Sequence, residues 1–436
     1  MQTRVRTIFL AVMIGLFLLL APVAVFYALG YRYDVNRGQV LRTGAVLVTT
    51  YPRNATVTLD SEPARKRTPV VVRNVLPGEH LLRVELEGYE TFEKRVTILA
   101  ERTTLYDAIL LAPKHDRWRV ERRGTGAPPV VSPDGTAIAW NATDDTITVG
   151  RTTDANADLI LDHSAETISG WSPYSRYLLT TGERSLTIYD RNGDWSARNM
   201  GVDQPIRYVR WDQANESYAY LLTTEATFVV DAFAGTVTRL PFYALDLLAA
   251  NGQLRTIERT GLSERQRTLV FRSAPTYDRS TSLDLPLGTE AFIAASLNPV
   301  VTASDQTITT VHNGATQTRA FADAPRGSEW SPQQAALLVW TDDELWSLSL
   351  DGLGEQLIAR TGDTLHTARW VAGWPALVVS HGTEIGFFDV DPRGTRYAAP
   401  LLTRADVLPR LSFRGNQLLS ASADEHGWTI ESLQLF

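Results

Sequence analysis

Residues 118–436 repeat with a period of about 40 residues. A hydrophobic residue followed by Ser-Pro, or by a close variant, marks each unit. The series runs Val131-Ser132-Pro133-Asp134-Gly135, Trp171-Ser172-Pro173, Trp211-Asp212-Gln213, Leu297-Asn298-Pro299, Trp330-Ser331-Pro332, Trp370-Val371-Ala372 and Leu411-Ser412-Phe413-Arg414. The gap between the third and fourth of these holds one further unit, with Asn251-Gly252 as its turn. Each turn precedes a short apolar strand, as in Tyr177-Leu178-Leu179-Thr180. A second strand, a Gly-containing turn (Asn192-Gly193, Ala234-Gly235, Asp351-Gly352) and an outer strand follow. Four short strands cannot bury both of their own faces. The units therefore pack against one another, and the array closes on itself.

That pattern is a β-propeller. The count is eight blades. Seven is the alternative, because residues 242–288 match poorest and read equally as an insertion. The last unit ends after three strands, so Arg117–Glu121 supplies its outer strand. The Trp-Ser-Pro and Ser-Pro-Asp-Gly turns resemble those of TolB-like and WD-type propeller repeats, without the Gly-His dipeptide of the full WD signature. Trp171, Trp211, Trp330 and Trp370 share one repeat position, which assigns them to packing between blades.

The other end of the chain is different. Ile8–Leu29 is 22 residues without a charge, long enough as a helix to cross about 30 Å of hydrocarbon. A cleaved signal peptide has an apolar region of about 7–15 residues and a small-x-small site after it. Phe26-Tyr27-Ala28-Leu29 offers no such site. Arg4 and Arg6 place the amino terminus inside, while Arg32, Arg37 and Arg42 weaken the charge bias. The expectation is an uncleaved single-pass anchor in the plasma membrane, with the bulk of the chain extracytoplasmic.

Between anchor and repeats lies a segment of alternating strands, including Ala45–Thr50, Ala55–Asp60, His80–Leu86, Thr91–Ile98 and Thr104–Leu111. Its turns read Pro52-Arg53-Asn54-Ala55, Asp60-Ser61, Thr68-Pro69, Pro77-Gly78-Glu79-His80 and Gly88-Tyr89. In order and spacing, residues 44–112 resemble the PEGA domain, which implies a small β-sandwich, an extracytoplasmic setting and no catalytic residues. Asn54 stands for the usual glycine, a mild change because asparagine tolerates positive φ. Ser61 in place of a turn glycine points to a different turn geometry. The whole chain is then all-β after its helix. Residues 1–30 are the tip and anchor, 31–43 a linker, 44–112 the PEGA-like sandwich and 113–436 the propeller.

Chemistry is sparse. There is no cysteine, which excludes disulfides, thiolate metal sites and thiol catalysis. A net charge of −7 argues against nucleic-acid binding. The seven histidines (80, 115, 163, 312, 366, 381, 426) lack metal-site spacing. His80 reads as a half-exposed strand residue. Asp190-Arg191-Asn192-Gly193-Asp194 has Trp195 where a calcium loop needs glycine, so it reads as a hairpin turn. Asp389-Val390-Asp391 reads likewise, and Asp144-Asp145 and Asp342-Asp343 mark equivalent repeat positions. Trp195, Trp374 and Trp428 fall outside the tryptophan register and are the candidate surface-binding aromatics.

The expected function is a non-catalytic, membrane-anchored scaffold of the cell envelope, binding a protein or polysaccharide and needing no cofactor. The alternatives are a propeller enzyme acting on envelope glycans and a purely structural surface-layer component.

Overall fold

The computed structural model describes the chain except residues 1, 35–37, 144–145, 155–157, 163–165, 261–264, 290, 351–353, 404–409, 425–426 and 436; side chains 2–5, 7–8, 11, 34, 162 and 410 are also outside it. The Asp144-Asp145 pair, His163, His426 and the Asp351-Gly352 turn lie outside the described residues. Two compact units result: residues 1–114 with 389–399 and 436, and residues 115–388 with 400–435.

The first unit begins with helix α1 (Gln2–Ala28), which contains Pro22. Its described apolar side chains, among them Phe9, Leu10, Phe17, Leu18, Leu19, Val23 and Phe26, are exposed. Among the described residues, no helix is long and apolar enough to cross a membrane. The run Ile8–Leu29 includes Ile8 and Ala11, whose side chains fall outside that description.

Strands β1 (Tyr31–Asp34) and β2 (Gln39–Arg42) pair as a hairpin where a plain linker was expected. Opposite Tyr31, Arg42 donates to that hydroxyl (2.8 Å) and pairs with Glu101 (2.8 Å).

The sandwich is built from β3 (Gly44–Tyr51), β4 (Thr56–Leu59), β5 (Glu62–Pro63), β6 (Val70–Val75), β7 (Gly78–Glu85), β8 (Phe92–Ile98) and β9 (Thr103–Leu110). One sheet has the order β6-β3-β9 and the other β5-β4-β7-β8. Strand β9 returns to lie parallel to β3, a long-range pairing that no local pattern announces. Alternation fills the core with Val46, Val48, Val57, Leu82, Val84, Phe92, Val96 and Ile98. Asn54 has φ 68°, as expected. Ser61 has φ 73°, so it keeps the left-handed turn that glycine would make, and the different geometry expected there does not occur.

On β8 the inward register also places Lys94, with 0% of its surface exposed. A buried ammonium is costly unless paired. Its partners come from the second segment of this unit: Asp389 (2.5 Å), the Asp391 carbonyl (2.9 Å) and the Asp391 carboxylate (3.7 Å). Tyr397 of that segment packs on Phe92, ring centroids 4.8 Å apart. Gly394 has φ +71°, and a Cβ there would collide with the Arg95 carbonyl oxygen. Residues 389–399 thus depart from the expectation that 113–436 forms one domain. Paired carboxylates and a close-packed glycine match them to β8.

The second unit is a β-propeller. Its described residues form eight four-stranded antiparallel sheets, taken here in chain order from the one that begins at Val130. Residues 242–288 contain a full sheet: Asp246–Ala250, Gln253–Arg259, Arg267–Ser273 and Arg279–Leu285. In the eighth sheet Arg410–Arg414, Gln417–Asp424 and Gly427–Gln434 are joined by Arg119–Gly124, which pairs antiparallel with Gly427–Gln434. The two ends of the repeat region therefore share one sheet.

Buried clusters bridge neighbouring sheets. Tyr177, Leu179 and Ile188 of the second meet Leu221, Phe228 and Val230 of the third. Ile138 and Trp140 of the first meet Trp428 and Ile430 of the eighth. Each such side chain contributes about 1.5–3 kcal/mol on burial, so the stability of a sheet resides in its neighbours. The repeated tryptophans act as expected. Trp171 Nε1 donates to the Val130 carbonyl (3.0 Å) and Trp370 Nε1 to the Glu329 carbonyl (3.4 Å), each one sheet back. Trp211 stacks on Tyr177.

In the first two sheets the serine of the turn holds the first hairpin. Ser132 Oγ accepts from Ala137 N and Ser172 Oγ from Tyr177 N, both at 2.9 Å. In the third sheet Asp212 replaces serine. It is fully buried and accepts from the amides of Ala214, Asn215, Asn251 and Gly252 at 2.7–3.0 Å, the last two in the fourth sheet.

Candidate functional site

In a four-strand meander the second–third hairpins and the sheet-to-sheet connections emerge at one end, and the other turns at the opposite end. The first strands, nearest the ring axis, carry polar groups that are consumed in joining sheets. Arg210 of the third sheet forks onto Asp246 of the fourth (3.4 and 3.2 Å), and Asp246 also accepts from Phe292 N of the fifth (2.9 Å). Arg369 of the seventh pairs with Glu329 of the sixth (3.3 Å), and Glu329 accepts from Trp370 N (2.7 Å). Burial pushes the Glu329 carboxyl above its ordinary range, against the opposing pull of Arg369 and the Trp370 amide. Burial likewise raises the Tyr208 hydroxyl, which donates to the Leu245 carbonyl (2.5 Å). These groups fix geometry.

Among the described residues, cavities lie between neighbouring sheets, of which two bear on the site. One, of about 390 Å³, separates the fifth and sixth, where Ile308, Gln317, Leu348 and Gly354 line it and Arg319 pairs with Glu355. The other, of about 300 Å³, lies between the third and fourth and is lined by Arg207, Thr224, Tyr243, Leu245, Arg259 and Arg267. Thr224 sits in a second–third hairpin, Arg259 and Arg267 end the two strands of another, and Tyr243 and Leu245 precede a first strand. The cavity therefore opens at the end where hairpins and connections emerge.

The three candidate aromatics are not brought together. Trp428 is corrected outright: it is 2% exposed, its Nε1 donates to the Thr125 carbonyl (3.1 Å), and its ring meets Trp140 edge-on at 5.2 Å. It fills the junction between the eighth and first sheets, and a Cβ on Gly124 would strike its ring. Trp195 is half-buried beside Trp171, centroids 5.9 Å apart. Trp374 is also half-buried, in the first turn of the seventh sheet. Neither is an open platform. His80 is largely covered, its Nδ1 on Asp60 and its Nε2 on the Leu76 carbonyl (2.7 Å). Asp190 caps its turn, accepting from Asn192 N (3.1 Å) and pairing with Arg176 (3.0 Å). Among the described residues no three His, Asp or Glu side chains stand together as a metal group.

The arginines of the smaller cavity were missed in the sequence, where they look like scattered surface charges. The available signal was weak: Arg259 and Arg267 flank one hairpin of a strand pair that carries further charges at Arg255, Glu258 and Arg272.

Residues 43–110 match the PEGA domain family. No curated protein sequence matches the chain. Solved structures to which it is similar include Hsv2 of Kluyveromyces lactis (12% identity, 62% of this chain and 98% of that one, TM-score 0.43). Another is the β-propeller domain of Cps50 (Swd1) from Myceliophteria thermophila (14%, 72% and 99%, TM-score 0.43). A third is a chain of the mitotic checkpoint complex (13%, 61% and 87%, TM-score 0.42).

Proposed function

We propose that this protein is a non-catalytic binding scaffold of the cell envelope. It is held in the plasma membrane by its amino-terminal helix, with the amino terminus inside and the PEGA domain and an eight-bladed propeller outside. The propeller presents its hairpin end to a protein or polysaccharide of the envelope. The observation that carries the reading is α1: apolar side chains exposed along its length, in a chain whose other apolar residues are largely buried between sheets. Water does not sustain such a helix, and lipid does. The PEGA domain and the propeller support a binding or scaffold role.

The test is fractionation of cells making the full chain, followed by external protease on spheroplasts. Expected are retention in carbonate-washed membranes, release when residues 1–30 are deleted, and digestion of the propeller from outside. Full protection from protease refutes the topology, and a full chain in the soluble fraction refutes the anchor.

A further inference from the structure

We infer that the outer edge of strand β6 in the PEGA domain is a docking site for an extended acidic segment of a partner protein, which adds to the sheet as a further strand. This goes beyond the scaffold reading and needs neither the anchor nor the propeller.

In the sheet β6-β3-β9, β6 (Val70–Val75) has β3 on one side and, among the described residues, no strand on the other. The backbone of Ala45 on β3 faces β9, where its N–H donates to the Arg102 carbonyl (3.0 Å). Successive residues of a strand turn their backbone groups to opposite sides, so Val46 and Val48 face β6. Their partners there are Val72 and Val70, whereas Val71 stands opposite Leu47 and Arg73 opposite Ala45. The N–H and C=O groups of Val71 and Arg73 therefore point away from the sheet, and both residues are exposed. A row of open donors and acceptors on a valine-rich strand is a template for another strand.

Charge selects the occupant. Arg65, Lys66 and Arg67 lead into β6. Arg53 lies beside them, because Asn54 N donates to the Thr68 carbonyl (3.0 Å) and Thr68 N to the Ala55 carbonyl (2.9 Å). These four side chains and Arg73 are exposed, and among the described residues none of the five is in an ion pair or a side-chain hydrogen bond. Glu62 is the one acid in residues 61–78. Elsewhere in this unit cations are answered: Arg42 by Glu101, Arg83 by Glu85 and Glu93, Lys94 by Asp389 and Asp391.

The opposite side of the sandwich shows the same chemistry satisfied from within the chain. There Arg393 Nη1 donates to the Leu105 carbonyl of β9 (2.8 Å), and Arg95 N of β8 donates to Thr395 Oγ1 (2.9 Å). The segment that covers those two edges is the one that brings Asp389 and Asp391 to Lys94. The β6 side has five cations and, among the described residues, no such strand. An acidic segment laid along it matches both the open backbone groups and the charge.

The test titrates the full chain in detergent with a fluorescent peptide alternating threonine with glutamate, and with its threonine–lysine counterpart, read by polarisation. The glutamate peptide is expected to bind saturably, more weakly as salt rises, and to slow amide exchange over Val70–Val75, with the lysine peptide inert. Val71→Pro removes an outward N–H while leaving the pairing with β3, and should weaken binding about tenfold. Lys66→Glu combined with Arg67→Glu, both at exposed positions ahead of the strand, should weaken it at least as much, and carries the test if Val71→Pro unfolds. Arg102→Gln, exposed just before β9, should not weaken it. Absence of saturable binding by the glutamate peptide overturns the inference. So does a folded Val71→Pro chain that binds like the parent, or binding that leaves exchange over Val70–Val75 unchanged, since either makes the surface a general polyanion site. A chain that fractionates with membranes yet ignores the peptide overturns this inference alone.

Discussion

Lys94→Met is the most exacting perturbation of the first unit. Lys94 is fully buried on β8, between Phe92 and Val96 in the inward register, and its ammonium is answered by Asp389 at 2.5 Å. Methionine keeps the volume and apolar stem but leaves the Asp389 carboxylate buried without its cation. Breaking a buried pair from one side costs about 3–5 kcal/mol. In hydrogen exchange that is about two to four orders of magnitude of lost protection, read on peptides covering Phe92–Ile98.

The pH dependence sharpens the test. Burial holds the Asp389 carboxyl above its ordinary range, with Lys94 pulling the other way. A raised folded pKa means that proton uptake stabilises the folded state. That contribution is complete below the ordinary Asp range of about 4 and is lost as pH rises through the folded value. Without Lys94 the folded value climbs further. The penalty should therefore be full near pH 8 and shrink toward pH 5, as Asp389 takes up a proton. Adding Asp389→Leu should restore most of the protection, because replacing both charges by apolar groups is close to neutral. Less than a tenfold loss in Lys94→Met, or a loss equal at pH 5 and pH 8, refutes the argument.

Three further outcomes follow from the propeller. Trp428→Ala should destabilise by about 3–5 kcal/mol, seen as a lower urea midpoint, since it empties the junction between the eighth and first sheets; a change under about 1 kcal/mol contradicts that packing. Asp212→Ala removes the buried acceptor of four backbone amides and should cost more than Asp212→Asn, which keeps one oxygen; equal effects in a chemical denaturation series contradict that role. Hydrogen bonds from Arg176 hold the Asp190 carboxyl below its ordinary range. Its contribution is thus present above about pH 4 and lost as pH falls through the depressed folded value. The stability gap between the parent and Asp190→Asn should accordingly close on the acid side in a pH series of urea midpoints, and a gap that widens there contradicts the pairing.

Much of the architecture is written in short-range pattern. Period-two alternation placed the strands of the sandwich, and the recurring turn placed the strands of the repeat, because side-chain facing and hairpin chemistry depend on residues a few positions apart. The shared tryptophan register was legible for the same reason. Asn54 was read correctly from its own conformational tolerance. Ser61 was not: it takes the positive φ of the glycine it replaces.

What pattern could not supply was the partner of each charged or aromatic group. Trp428 looked like a surface residue until Arg119–Gly124, some three hundred positions earlier, closed the eighth sheet over it. Nothing in the local pattern singles out Lys94, whose partners Asp389 and Asp391 lie almost three hundred positions away. Arg259 and Arg267 stand opposite each other only because the hairpin pairs their strands, and Arg207 reaches the same cavity from the next sheet. The sequence by itself determined the strands, their faces and the period, since these are local. The tertiary structure alone decided which charges meet, because chain closure, not spacing, brings distant residues into one low-dielectric place.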